Sequence, residues 1–259
     1  MSLTTIVLLG AAGFLAGVMN AIAGGGTILT FPALIFAGIP PILANATSTV
    51  ALLPGTIAGV AGYRRSLPAV WRWIKIYGPI STFGGLLGGI LLTQTPAPLF
   101  ERLVPFLVLF ATVLFTMRNV FLRIFRLEAA VSSDAVSRSW LAGAIVFQFL
   151  VAIYGGYFGA GIGILMLATL GLLGFQDIHD MNALKGVLGF FINGIAAAYF
   201  VLTGLVEWPS AAVVAIGSVA GGYSGASFAQ KITQQTVRRL IGAVGIGISM
   251  VLFYKQLRG

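Results

Sequence analysis

Ten polar side chains stand where an apolar chain has least use for them. Asn20, Asn45, Thr47, Ser48, Thr49, Thr56, Gln148, Asn182, Lys185 and Asn193 fall inside or at the mouth of long apolar runs. Polar groups at such depth are costly and usually face a pathway or a partner helix. A threonine can satisfy itself on the preceding helical turn, which is the plain alternative for Thr56. Asparagine cannot do so fully, so Asn45 and Asn182 carry more information. Each is expected where a helix begins, as an N-cap or as an anion contact. The two roles are compatible, because open N–H groups and the helix dipole both attract negative charge.

Two glycine-rich breaks accompany these residues: Gly24-Gly25-Gly26 ahead of Thr27, and Gly161-Ile162-Gly163. Backbone freed in this way survives at membrane depth only when it is buried in protein or lines a wet cavity. Lys185 supplies a cation, and three readings compete for it: contact with an anion, an ion pair with Asp180, or snorkelling to an interface. His179, the single histidine, is either a carrier of a coupling proton or an ordinary exposed loop residue. Glycine N–H groups, hydroxyls, amides and one ammonium together describe a site for an oxyanion. Sulfonate, carboxylate and phosphate all qualify on these residues alone. The candidate substrate-binding set is therefore Asn20, Gly24, Gly25, Gly26, Thr27, Asn45, Thr47, Ser48, Gly161, Gly163, Asn182, Lys185 and Asn193.

Catalytic groupings do not emerge. The sequence has no Gly-x-Ser-x-Gly, no cluster with metal-ligand spacing, no nucleotide-binding loop and no cysteine. The glycine run lacks the preceding strand and the closing Gly-Lys-Ser/Thr of a phosphate loop. No enzyme, no metal and no cofactor are expected.

The elements that must position the polar residues are membrane helices. Hydrophobic residues make up 58% of the 259 and charged residues 8%, with a mean hydropathy of +1.02; soluble domains carry roughly 25% charged residues. The net charge of +9 gathers in arginine clusters between apolar runs, as in cytoplasmic loops of membrane proteins rather than in nucleic-acid binders. Residues 1–19 show neither a charged n-region nor a cleavage pattern, so a cleaved leader is not expected. Apolar runs cover 3–23, 27–39, 45–62, 73–94 and 98–117, then 139–160, 163–174, 182–203, 208–229 and 236–254.

The second set of five lies on the first without a gap, 137 positions on. Asn45 falls on Asn182, Gly26 on Gly163, Trp71 on Trp208, Ser81 on Ser218, and Arg102-Leu103 on Arg239-Leu240. The organisation expected is an N-terminal transmembrane repeat (1–117), a cytoplasmic linker (118–138) that lies as a surface helix, and a C-terminal repeat (139–259). Arg64, Arg65, Arg72 and Lys75 mark one loop as cytoplasmic, whereas its equivalent, Thr203–Glu207, has no Lys or Arg. The halves are thus expected to be inverted. The fold class is an all-α polytopic membrane protein of two inverted repeats, each with three to four transmembrane helices plus a broken or re-entrant glycine-rich segment. The runs 27–39 and 163–174 are too short to span comfortably and are expected as the arms of that segment. Gly55/Gly59, Gly84/Gly88, Gly85/Gly89, Gly221/Gly225 and Gly242/Gly245 are expected to let helices approach closely.

At these residues the chain resembles the sulfite exporter TauE/SafE family of permeases. The features that carry the resemblance are Asn20-x-x-Ala-Gly-Gly-Gly26, Pro32, the turn at Gly38-x-Pro40-Pro41, and Ala44-x-Ala46-Thr47-Ser48. In the second half they are Gly155-Gly156 through Gly163, Asn182-Ala183-x-Lys185, and Asn193. The resemblance covers essentially the whole chain. It implies secondary transport, often export, of small sulfur-containing anions such as sulfite and organosulfonates across the cell inner membrane. The partners expected are that small anion, the lipid bilayer and a coupling ion, proton or sodium, with no nucleic acid. An anion channel, or a permease for another oxyanion or carboxylate, is the alternative.

Overall fold

A computed structural model describes residues 1–22, 25–117, 120, 138–173, 175, 177–228, 242–243 and 245–254. The described residues form α-helices and connecting turns, with no strand among them. In chain order the helices are α1 (Leu3–Ile22), α2 (Thr27–Phe36), α3 (Pro41–Gly62), α4 (Leu67–Gln94) and α5 (Ala97–Thr116). The second half gives α6 (Arg138–Tyr157), α7 (Ile162–Leu172), α8 (Ile178–Leu202) and α9 (Trp208–Phe228), then α10 (Gly245–Tyr254). Gly24, the charged loop at 230–239 and the charged C-terminus lie outside the described residues. So does the expected surface helix in the linker, apart from Val120 and the Arg138 that opens α6.

Five of the helices are long and apolar enough to cross a membrane: α1, α3, α4, α5 and α8. Their outer faces are apolar too, with Val7, Ile57, Phe83, Phe110 and Leu202 exposed. Helices that are hydrophobic all round belong in lipid. By contrast α2 has 10 residues and α7 has 11. At 1.5 Å per residue each is about 15–17 Å long, roughly half a hydrocarbon core. The short runs are therefore half-helices, as their length requires.

Proline fixes several helix starts. It occupies the first or second position of α3, α4 and α5, where its missing N–H costs nothing. This moves two boundaries. Helix α3 begins at Pro41 and α4 at Leu67, four and six residues before the apolar runs suggested. Helix α8 likewise starts at Ile178 and is capped by Asp177, whose carboxylate accepts the N–H groups of His179 (2.6 Å) and Asp180 (3.3 Å). Asn45 and Asn182 are therefore not N-caps. Each is the fifth residue of its helix, and Lys185 lies two turns into α8.

The halves interdigitate. Helix α1 packs along α9, α4 packs between α6 and α8, and α3 crosses α8 and α9. These pairings repeat under the 137-residue register: α1 with α9 matches α6 with α4, and α3 with α9 matches α8 with α4. Both apolar cores draw on both halves; one joins Phe31, Leu92 and Phe100 to Phe158, Ile164 and Phe200. Glycine makes the tight crossings feasible. A Cβ at Gly17 or Gly221 would overlap the backbone of the facing helix in the α1–α9 contact, and one at Gly88 or Gly156 would do so between α4 and α6. Gly84 and Gly85 pack as expected, and Gly242 and Gly245 face Thr116 and Thr112 of α5. Gly59 instead borders open space. Gln148 Nε2 donates to Ser81 Oγ (3.1 Å) in the same α4–α6 contact, so this buried amide joins two helices.

Candidate functional site

The glycine-rich breaks of the two halves meet. Gly25 has φ 100° and Gly161 φ 80°, left-handed conformations that turn α1 into α2 and lead into α7. A Cβ added to Gly25 would lie 3.6 Å from the Gly161 nitrogen, so the two turns touch. Asn20 at the end of α1 accepts the Gly26 N–H through Oδ1 (2.8 Å) and fixes the entrance to α2.

Against these turns lies a cavity of about 100 Å³. A water needs roughly 10–15 Å³ measured in this way, so the space suits an ion of a few heavy atoms and is small for a drug-sized ligand. Helices α3 and α8 supply two of its walls as stripes with helical spacing. On α3 the stripe runs through Thr49, Leu52, Thr56 and Gly59 to the C-cap Tyr63; on α8 it runs through Asn182, Lys185, Gly186, Gly189 and Asn193. These positions occupy the C-terminal part of α3 and the N-terminal part of α8, so the cavity lies toward the end of the bundle that bears Arg64 and Arg65.

Of the sequence-derived set, the cavity gathers Asn20, Gly25, Gly26, Thr27, Gly163, Asn182, Lys185 and Asn193. Lys185 Nζ donates to Asn182 Oδ1 at 2.9 Å, holding the ammonium along the α8 wall. None of the lining residues is Asp or Glu. An anion placed here therefore meets amide N–H groups, hydroxyls and an ammonium, with no carboxylate among the lining residues.

Four other members of the set sit elsewhere. Asn45 is buried and its Nδ2 donates to the Tyr157 carbonyl at 2.8 Å. Thr47 accepts the Glu207 N–H at 3.0 Å, and Ser48 shares a 2.6 Å hydrogen bond with Thr30 on α2. Gly161 is the left-handed residue ahead of α7, buried behind the cavity wall. The reason for Ser48 is rotational: one residue before Thr49, it points about 100° away from the cavity stripe. His179 is exposed, its ring 6.4 Å from that of Tyr63 at the cavity's outer end.

The cavity also takes in residues that the sequence reading left out of the site, above all Thr49, Thr56 and Gly159. A usable signal existed. Thr49 pairs with Gly186 and Thr56 with Asn193 in the repeat register, and all four line the cavity. Gly159 sits beside Asn193, whose Oδ1 would be 3.6 Å from an added Cβ.

Known proteins match this chain along nearly its full length. A "Probable membrane transporter protein" of Haemophilus influenzae is 27% identical over 252 residues, covering 97% of this chain and 95% of its own. The "Probable membrane transporter protein YfcA" of Escherichia coli K12 is 27% identical over 242 residues, with 93% and 86% covered. The "Probable membrane transporter protein ORF9" of a Sinorhizobium species is 26% identical over 250 residues, with 93% and 89% covered. No solved structure matches the chain. The family description Sulfite exporter TauE/SafE matches residues 9–252. With ten helices among the described residues, a glycine-walled cavity and relatives named as transporters, the chain belongs to the sulfite exporter TauE/SafE family and is a multi-pass membrane transporter.

Proposed function

We propose that this transporter moves small sulfur-containing anions, sulfite or organosulfonates, across the cell inner membrane by alternating access. The observation that carries the reading is the convergence of Lys185 and three asparagines on one small cavity whose lining has no carboxylate. A compact oxyanion needs donors on several sides and pays heavily for desolvation without them. The family's description supplies the preference for sulfur. Export is the direction we favour, driven by a proton or sodium gradient rather than by nucleotide hydrolysis, since the sequence has no nucleotide-binding loop.

Purified protein in liposomes is expected to accumulate labelled sulfite or taurine under an imposed ion gradient, without ATP. The flux should saturate and be stimulated by unlabelled substrate on the far side. Flux that rises linearly with concentration, with no counter-transport, would indicate a channel. Carboxylate or phosphate uptake in place of sulfur anions would move the substrate assignment and leave the transporter class.

We also propose that the two halves are inverted in the membrane, which the repeated helix pairings and the loop charges support. The chain has no cysteine, so single cysteines report cleanly. Ser66→Cys and Thr203→Cys are expected to react with an impermeant thiol reagent from opposite sides. Reaction from the same side would end the inverted arrangement.

A further inference from the structure

The repeat register pairs Asn45 with Asn182 and Tyr157 with Asn20, yet the two halves treat these pairs differently. Asn45 is shut in, with its Nδ2 on the Tyr157 carbonyl and its buried Oδ1 without a hydrogen-bond partner. Asn182 and Asn20 both line the cavity. The same contrast holds at the two ends of the crossing helices. Val60 of α3 faces the cavity, and its counterpart Ala197 of α8 is buried at 3% exposure. The two halves are therefore caught in unlike conformations, one end of the α3–α8 pair open and the other sealed.

We propose that Asn45 and Asn182 exchange roles during transport, a mechanism that rests on the transport reading above. In this state Asn45 latches α3 to the Tyr157 carbonyl and seals the end opposite Arg64. In the alternate state Asn182 latches α8 to the Asn20 carbonyl, closing the present cavity mouth, while Asn45 turns to the substrate path. Water or substrate then reaches the amide oxygen that is orphaned now. The seal seen here is reinforced by Thr47 on the Glu207 N–H. Its counterpart in the register, Leu184, has no hydroxyl, so the second closed state lacks this bond and the two end states are unequal.

The test places one reporter cysteine at each end, Val60→Cys or Ala197→Cys, and measures the rate of labelling by an impermeant methanethiosulfonate in the full-length protein. Asn45→Ala removes one hydrogen bond from the sealed state, and labelling at Ala197→Cys is expected to rise by up to about tenfold, with none at Val60→Cys. Asn182→Ala is expected to do the reverse and lower the Ala197→Cys rate, while the double variant returns toward the parent rate. Thr47→Val, which keeps Asn45, should also raise it and serves if Asn45→Ala fails to fold. Unchanged Ala197→Cys rates in folded Asn45→Ala or Thr47→Val protein would overturn the exchange, as would a rise in Asn182→Ala. Sulfite uptake by the parent that persists alongside either result removes the latch and leaves the transporter. Full-rate labelling of both reporters at once in the parent reveals a continuous pore and removes alternating access itself.

Discussion

Replacing Lys185 with methionine is expected to weaken sulfite or sulfonate binding by about ten- to a hundredfold. A charge-assisted hydrogen bond contributes about 1.5–3 kcal/mol, and roughly 1.4 kcal/mol corresponds to a factor of ten. Methionine keeps the length and the apolar stem of lysine, so the cavity wall should stay in place. Lys185→Arg should restore only part of the affinity, because a planar fork does not replace a compact ammonium in about 100 Å³. The ammonium is held toward the α8 wall by Asn182 at 2.9 Å, and Asn182→Leu is expected to have a smaller effect than Lys185→Met. Equilibrium binding and melting temperature, measured on the same samples, check all three. Unchanged affinity in stable Lys185→Met protein would take this lysine out of the site. If Lys185→Met destabilises the protein and Asp180→Asn largely restores it, the residue serves an ion pair instead.

The second large effect falls on the helix crossings. Gly88 and Gly221 occupy separate interfaces, α4 with α6 and α9 with α1, and a Cβ at either would overlap backbone atoms of the facing helix. Backbone cannot move aside as a flexible side chain can. Each leucine substitution is therefore expected to cost at or above the upper end of the usual overpacking range of about 1–3 kcal/mol. Against a total stability of about 5–15 kcal/mol, the double variant Gly88→Leu/Gly221→Leu should not survive detergent extraction as folded protein. Gly143, exposed on α6 with nothing within 4 Å of an added Cβ, provides the control. Gly143→Ala should leave the melting temperature unchanged or raise it slightly, since alanine loses less backbone freedom on folding. Size-exclusion profiles and thermal melts read all of these. Folded, parent-like Gly88→Leu/Gly221→Leu protein would mean that the helices stand farther apart than their glycines allow.

Much of this protein is legible in one dimension. Lipid demands that a spanning segment be apolar and satisfy its own backbone, so the helices stand out as apolar runs and the breaks as glycine and proline. The 137-residue register carries those features twice, which is why Asn45 could be paired with Asn182 and Gly26 with Gly163 before any helix was placed. Half-helices α2 and α7 followed from length alone. Helix starts were harder to read. Pro41 and Asp177 open their helices through backbone geometry and a capping carboxylate, neither of which registers as hydrophobicity, so α3 and α8 begin before their apolar runs.

What the tertiary structure alone decided is which polar residues share a space. Ser48 and Lys185 hold the same place in the register, yet Ser48 turns to Thr30 while Lys185 lines the cavity. A short hydroxyl bonds whatever lies directly beside it, whereas the long Lys185 side chain carries its ammonium to Asn182 on the cavity wall. Asn45 and Asn182 have the same side chain in the same register, and one is buried where the other lines the cavity. Identical chemistry takes unlike positions because the crossing of α3 and α8 is open at one end and sealed at the other. That asymmetry belongs to the packing of the two halves, and no local stretch of sequence encodes it.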